Sequence, residues 1–299
     1  MGPLPLALPK RTLDLAGRPL VMGIVNLNAD SFSGDGTLDL EQALTQARRM
    51  VADGADMIDV GGESARTNRG PISESEEIDR VAPFIEKFWG EFGRPETVAD
   101  SLTPIPEEAP VFPPVLSINT WRPTVAEATL AAGGEFLNDM SALPDDANAR
   151  IAAKHRVALL IMHSVGAPKV PHTQVLYENV MDALESFFTA KIQLALNAGL
   201  PRAAIALDPG LDFAKQRDDN LTIYRELSRL TQFGRPVLLP VSRKTVIGDV
   251  LNLPEPIQRD AGTIACIVAG LKRGANIFRV HNVRAASQSI RVVRAAMQP

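Results

Sequence analysis

Short runs of Val, Ile and Leu, each ending in polar residues, recur along the chain. They alternate with longer segments in which apolar positions return every three or four residues. The short runs predict strands at 20–27, 56–61, 115–119, 135–139, 157–163, 203–208, 236–242 and 276–281. The longer segments predict helices at 40–53, 74–89, 123–132, 176–198, 220–231 and 261–273. Gly54, Gly133, Gly199 and Gly274 follow four of these helices, where a left-handed closing residue is preferred. Strand–helix alternation implies a parallel sheet with right-handed crossovers, and near-continuous apolar strands imply burial on both faces. Eight such units close naturally into a single-domain α/β fold, the (β/α)8 TIM barrel. A doubly wound open sheet is the alternative, but it would gather polar strand ends at one switch point. Here they occur on nearly every strand: Asn26, Asp59, Asn119, Asn138, Asp139, His163, Asp208, Ser242 to Lys244 and His281. Residues 1–19 form an N-terminal extension and 20–299 the barrel. Residues 90–114 break the rhythm with six prolines in 25 residues. Proline at that density resists helix and sheet, which predicts an exposed insertion on the N-terminal face.

Composition narrows the function classes. The chain has 299 residues, 45% hydrophobic and 22% charged, enough apolar matter for a full core. A net charge of −4 argues against a nucleic-acid partner, which would call for an excess of Lys and Arg. Any anion site must therefore be local. Cys266 is the single cysteine, so no internal disulfide is possible, and its apolar neighbours mark a packed helix residue. Lys10 and Arg11 follow the first apolar stretch, the reverse of a signal peptide, and no apolar run approaches the ~20 residues of a membrane span. A cytoplasmic location is expected.

The candidate chemistry lies at the strand ends. Asn26 and the Gly-rich, polar loop 28–36 can offer amides and oxygens to a ligand, or form a plain turn. A neutral Asn oxygen suits Mg²⁺ when phosphate oxygens complete the octahedron. Arg66, beside Gly61 and Gly62, can clamp an anion or pair with Glu63. Asp208, before Pro209 and Gly210, suits a ligand with two adjacent N–H donors, such as a 2-aminopyrimidinone edge, though the same tripeptide is also an ordinary turn. Adjacent Arg243 and Lys244 after Ser242 repel each other unless anions or acceptors answer them, which favours function over structure. Arg279 and His281 alternate around Val280 and point the same way, at a strand end that often holds phosphate in barrels. His163 is either a similar donor or a satisfied inner histidine. The mouth thus divides into an anion subsite (Asn26, Arg66, Arg279, His281) and a heterocycle subsite (Asn138, Asp208, Lys244). No zinc-type cluster, nucleophile elbow or dinucleotide fingerprint is present.

Together these segments resemble dihydropteroate synthases. The matching stretches are 22–33 (MGIVNLNADSFS), 54–64 (GADMIDVGGES), 136–141 (FLNDMS), Met162 with His163, 207–210 (LDPG) with Phe213 and Lys215, 241–244 (VSRK) with Ile247 and Gly248, and 279–281 (RVH). The resemblance implies a barrel, usually a homodimer, that joins p-aminobenzoate to 6-hydroxymethyl-7,8-dihydropterin pyrophosphate with Mg²⁺. It implies that Asn138, Asp208 and Lys244 hold the pterin, with Met162 lining its pocket and Arg279 against its ring. Asn26, Arg279 and His281 would take the pyrophosphate and its Mg²⁺. Ser242, Lys244, Phe213 and the loops bearing Asp30 and Arg66 would frame p-aminobenzoate. Such chemistry needs no protein nucleophile, because a good leaving group held by cations requires only charge stabilisation.

Three departures stand out. Asn119 occupies a position where the family has Asp, so Asn119→Asp is expected to raise kcat. Residues 64–68 (SARTN) lack a hydroxyl and a proline of the usual pattern. Ala29 replaces a usual proline and Asp212 a usual glycine beside Phe213, both on the p-aminobenzoate side. Rival readings are a weakly active or non-catalytic pterin-binding homologue and a methyltetrahydrofolate methyltransferase. A Schiff-base aldolase using Lys244 is disfavoured by Arg243 next door.

Overall fold

The computed structural model describes residues 2–28, 36–63, 70–97, 102–170 and 174–297. In chain order its strands are β1 (Pro5–Ala7), β2 (Thr12–Asp14), β3 (Leu20–Asn26), β4 (Met57–Gly61), β5 (Leu102–Pro104) and β6 (Val115–Asn119). They continue with β7 (Phe136–Asp139), β8 (Ala158–Met162), β9 (Ile205–Asp208), β10 (Leu238–Leu239) and β11 (Ile277–Val280). Eight are parallel in the order β10-β11-β3-β4-β6-β7-β8-β9. A parallel bridge between Leu207 and Val237 joins the two ends, so the sheet closes into the expected barrel.

Side-chain parity sorts each barrel strand into two faces. Leu20, Met22, Met57, Val115, Phe136, Ala158, Leu160, Ala206, Leu238 and Ile277 fill the lower interior. Their neighbours Val21, Ile58, Leu116, Leu137, Leu159, Leu207 and Phe278 pack outward against the helices. Higher on the inner face, the same parity carries Asp59, Ser117, Asn119, Asn138, Met162, Asp208 and Arg279 to the C-terminal mouth. The apolar floor and the polar mouth are thus successive layers of one interior.

Residues 2–19 close the floor. β1 and β2 pair antiparallel, β5 joins β2 in parallel, and Leu6, Leu8, Leu13 and Leu15 enter the same apolar cluster as the barrel interior. The proline-rich stretch therefore contributes a strand as well as Ile105 and Val111 to that cluster. The helix before it, Glu74–Phe92, also runs past residue 90.

Arg18 ties these pieces together. Its Nε donates to Pro106 O (2.6 Å), Nη1 to Pro19 O (3.0 Å) and Asp56 Oδ2 (3.0 Å), and Nη2 to Asp56 Oδ1 (2.7 Å) and Ala109 O (2.8 Å). Asp56 also accepts from the amides of Val21 (2.9 Å) and Val111 (2.8 Å). This fork-to-carboxylate pair is saturated with hydrogen bonds, the condition under which a buried ion pair is tolerated.

Helix starts follow their caps rather than the hydrophobic period. Asn179 accepts from the amides of Met181 and Asp182, so the helix predicted from 176 is Val180–Asn197, with Leu176 left exposed. A capping box between Gln216 and Asp219 starts the next helix at Arg217, and its final turns become the 3-10 segment Leu227–Phe233. Three helices escape the sequence pattern: Ala147–His155, Thr245–Leu251 and Val283–Met297. The strand predicted over 236–242 is regular only at Leu238–Leu239, with Val237 in the isolated bridge to Leu207, and it is flanked by Pro236 and Pro240, which bring no N–H to the ladder. Among the described residues, no helix is long and apolar enough to cross a membrane.

Arg18→Met leaves the Asp56 carboxylate buried without its counter-charge. The expected loss is about 3–5 kcal/mol of unfolding free energy in a urea titration. A loss under about 1 kcal/mol would show that the floor holds without this pair.

Candidate active site

Asp59 organises the mouth. Its carboxylate is fully buried on the inner face of β4 and accepts from residues of three other strands. Ser117 Oγ donates to Oδ1 (2.5 Å), while Asn119 Nδ2 (3.3 Å), Asn138 Nδ2 (3.1 Å) and Arg279 Nε (2.7 Å) all meet Oδ2. The Arg279 contact is also an ion pair across the barrel. Both amides direct their NH₂ groups at Asp59, so their carbonyl oxygens point away from it. Asn119 Oδ1 is buried and has no hydrogen-bond partner in the structure.

Asp208 ends β9 on the same inner face, beside Met162, its register partner on β8. The Gly210 amide donates to Asp208 Oδ1 (2.7 Å). Burial pushes the Asp208 carboxyl up to about 6, against the opposing pull of the Gly210 amide, Lys244, Lys215 and Arg279. Gly210 has φ +69, and a Cβ there would lie 1.9 Å from His163 O, so only glycine fits this close passage.

Lys244 donates to Leu211 O (2.8 Å), and its Nζ lies 4.9 Å from the centre of the Phe213 ring. Burial lowers its pKa, while Asp212 and Asp208 raise it. Ser242 Oγ meets His281 Nδ1 at 2.8 Å and accepts from the His281 amide (3.2 Å), which fixes the imidazole over the end of β11. Asn26 ends β3, and its carbonyl accepts from the Thr37 amide (2.9 Å), which holds Thr37 at the strand end.

Several expectations change on contact with the geometry. Arg243 is structural: at φ 57 its side chain turns to Asp260 (Nε to Oδ1, 2.8 Å), so the two adjacent cations are separated by pointing in different directions. Arg259, which no sequence pattern marks, supports this turn by donating to the carbonyls of Arg243 (3.1 Å) and Lys244 (3.3 Å). His163 is a satisfied inner histidine, with Nδ1 2.9 Å from Lys215 Nζ and its ring edge-on to Phe187. Burial and the Lys215 charge hold its pKa down at about 3, so it is neutral and cannot serve as a cationic anion donor. Asp139, adjacent to Asn138, faces outward and holds Asn148 Nδ2 (3.0 Å) and the Ser141 amide (2.7 Å). Glu63 pairs with Arg122 (2.6 Å) and Lys169 (2.7 Å). Asp30 and Arg66, and with them loop 64–68, lie outside the described residues.

Of the remaining predicted site residues, the structure joins Asn119, Asn138 and Arg279 through Asp59, Lys244 with Phe213, and Ser242 with His281. From sequence alone, Asp59 is no more than a strand-end carboxylate. The signal that could have found it is parity: Asp59, Ser117 and Asn119 are polar residues at inward positions of strands that are otherwise apolar.

Asp59→Asn removes the counter-charge of Arg279 and offers an NH₂ where donors already converge. Chemical denaturation is expected to show a loss of about 3–5 kcal/mol. An unfolding free energy within about 0.5 kcal/mol of wild type would mean the hub is dispensable.

Comparison with known proteins points to one family. The chain matches the family described as pterin binding enzyme over residues 22–104 and 94–281. It is 36% identical over 282 residues to a dihydropteroate synthase of Bacillus subtilis, covering 94% of this chain and 89% of that protein. Among solved structures, it is similar to a Yersinia pestis dihydropteroate synthase in complex with a sulfonamide drug, with TM-score 0.84, 35% identity and 98% of each chain covered. It is likewise similar to a Xanthomonas albilineans dihydropteroate synthase with 4-aminobenzoic acid, with TM-score 0.82, 33% identity and 100% of each chain covered. With its inward polar ring, its closed barrel and these near full-length likenesses, the chain belongs to the pterin-binding enzyme family, in the company of the dihydropteroate synthases.

Proposed function

We propose that this chain catalyses the dihydropteroate synthase reaction, joining 6-hydroxymethyl-7,8-dihydropterin pyrophosphate to p-aminobenzoate with release of pyrophosphate. The observation that carries the reading is the inward ring of Asp208, Asn138, Lys244 and Arg279 at the C-terminal mouth, in a chain that aligns over most of its length with enzymes of that name.

Asp208 provides two acceptor oxygens for the adjacent N–H groups of the pterin's 2-aminopyrimidinone edge. Asn138 and Asn119 offer carbonyl oxygens, Lys244 an ammonium donor, and Met162 an apolar wall. Arg279 engages Asp59 through Nε, so its terminal amino groups are the ones that meet the pyrophosphate or the ring. His281, held by Ser242, adds a second donor on the anion side. The methylene C–O bond then breaks with its electron pair leaving on the pyrophosphate. The arylamine nitrogen supplies the pair for the new C–N bond and loses a proton. The protein's part is to stabilise both the departing anion and the electron-poor pterin.

Mg²⁺ fits the donor set. Among the described residues no three His, Cys, Asp or Glu side chains gather to form a complete protein cage. A hard cation held by Asn26 Oδ1 would draw its other oxygens from pyrophosphate and water. When bound, such an ion neutralises charge on the leaving group. The reading further includes a cytoplasmic homodimer with small-molecule substrates, on the strength of the family resemblance, and no nucleic-acid partner, on the strength of the net charge of −4.

Dihydropteroate formation from labelled p-aminobenzoate, pterin pyrophosphate and Mg²⁺ tests the activity. Tight pterin binding without product would instead identify a non-catalytic homologue.

The Asp208 carboxyl must be ionised to accept two N–H bonds, and burial places its titration at about 6. Affinity for 6-hydroxymethylpterin, which lacks the pyrophosphate, is therefore expected to fall about tenfold per pH unit below that value. Calorimetry from pH 4.5 to 8 measures it, and a flat profile contradicts the assignment.

Asn119→Asp exchanges a donor for a carboxylate against Asp59, now 3.3 Å away across the hydrogen bond. Two carboxylates in contact raise one pKa, so the variant is neutral at low pH and gains its negative charge as pH rises. The kcat ratio of variant to wild type is expected to climb from about 1 near pH 6 to about 10–100 at pH 9, equivalent to about 1.4–2.7 kcal/mol of cation stabilisation. A ratio that does not vary with pH would refute that charge argument.

A further inference from the structure

The turn after β9, residues 210–215, places Asp208 on one side and Phe213 on the other, yet its backbone lies outside any sheet or helix. Side chains from surrounding elements hold it. Lys244 Nζ donates to Leu211 O (2.8 Å), the Asp212 amide donates to Asn220 Oδ1 (2.8 Å), and Tyr177 Oη donates to Ala214 O (3.0 Å). Asp212 and Ala214 both adopt left-handed backbone, at φ 65 and 49, so the turn is strained as well as irregular.

Lys215 is the centre of this arrangement. Its Nζ lies 2.9 Å from His163 Nδ1, 3.0 Å from Phe213 O and 3.4 Å from His163 O. All three partners are acceptors, because a neutral His163 facing an ammonium must carry its own proton on Nε2. An ammonium has three N–H bonds, one for each. The same side chain therefore binds the end of β8 to the carbonyl of the residue whose ring lies under Lys244.

We propose that Lys215 is the positioning residue of the arylamine subsite, tying the 210–215 turn to the end of β8 so that the Phe213 ring is set beneath Lys244. Lys215 touches neither substrate. It acts through Phe213, and the inference rests on the synthase reading above.

The tether is sensitive to its own proton. Burial pulls the Lys215 pKa down to about 7, against the raising influence of Asp208, Asp219 and Asp212. The other groups facing it are His163 from the end of β8 and Lys244 after β10; beside His163 lies Tyr177, whose hydroxyl burial pushes up to about 12. Losing a proton leaves two N–H bonds for three acceptors, so the turn loosens as pH rises through 7 to 9. His163, held down at about 3, stays neutral over that range, and Asp208, at about 6, lies below it. Lys244, also lowered by burial, is the other ammonium acting on this turn, and a Lys215 variant separates the two.

The test is steady-state kinetics with each substrate varied, on wild type, Lys215→Met and Lys215→Gln, with circular dichroism to confirm folding. At pH 7 the Met variant is expected to raise KM for p-aminobenzoate about tenfold, with KM for pterin pyrophosphate within about twofold of wild type. The Gln variant, which keeps two N–H donors, should fall between. In wild type, KM for p-aminobenzoate should rise from pH 7 to 9, while in the Met variant it should stay flat. An unchanged arylamine KM, equal losses for both substrates, or an alkaline rise that persists in the Met variant would each overturn the proposal. If neither variant folds, the wild-type profile decides: a flat arylamine KM from pH 7 to 9 overturns it. Absence of dihydropteroate from wild type would instead fell the synthase reading, and this inference with it.

Discussion

A single buried carboxylate, Asp59, sets the geometry of the barrel mouth. Four donors from β6, β7 and β11 converge on its two oxygens, and one of them is the Arg279 guanidinium. A carboxylate so deep in the barrel persists only because its charge is paired and its lone pairs are filled. The consequence extends outward from it. Each donor that turns toward Asp59 has its opposite end directed away from it, so the orientation of Asn119, Asn138 and Arg279 is decided by a residue that need not touch a substrate.

Charge within this layer is balanced. Asp59 and Asp208 contribute two negative charges, and Lys244 and Arg279 two positive ones. Asn119 keeps that balance where an aspartate would tip it toward the anion. A balanced ring is well suited to holding a neutral heterocycle and less suited to stabilising a cation formed from it. The pH-dependent gain expected of an aspartate at 119 is the kinetic face of that balance.

Beneath the polar ring the interior is apolar, and below that the Arg18–Asp56 pair closes the floor with the N-terminal strands and the proline-rich stretch. The polar ring therefore rests on a packed layer rather than on loops, which limits how far its members can drift. The turn at 210–215 is the exception. It bears Phe213 outside the regular barrel, and its shape depends on side-chain hydrogen bonds from Lys244, Lys215, Asn220 and Tyr177.

The alternation of apolar strands with amphipathic helices was enough to read eight barrel units and their order, since those patterns follow from local burial with periods of 2 and 3.6. Strand-end chemistry was legible for the same reason: polar residues closing an apolar strand have few places to go but the barrel mouth, and Asn138, Asp208 and Lys244 are found there. Within the mouth, the choice of partner was not legible. Arg243 and Lys244 are neighbours in sequence, but a left-handed residue sends one to Asp260 and leaves the other in the site. Asn138 and Asp139 differ by one position, and strand parity turns one inward and one outward. His163 and Lys215 are 52 residues apart, Asp59 and Arg279 220 apart, and no local period encodes such contacts. The sequence by itself determined the fold and the kinds of groups at its open end. Only closure of the barrel decided which of those groups meet, because hydrogen bonds and ion pairs act over about 3 Å in space regardless of separation along the chain.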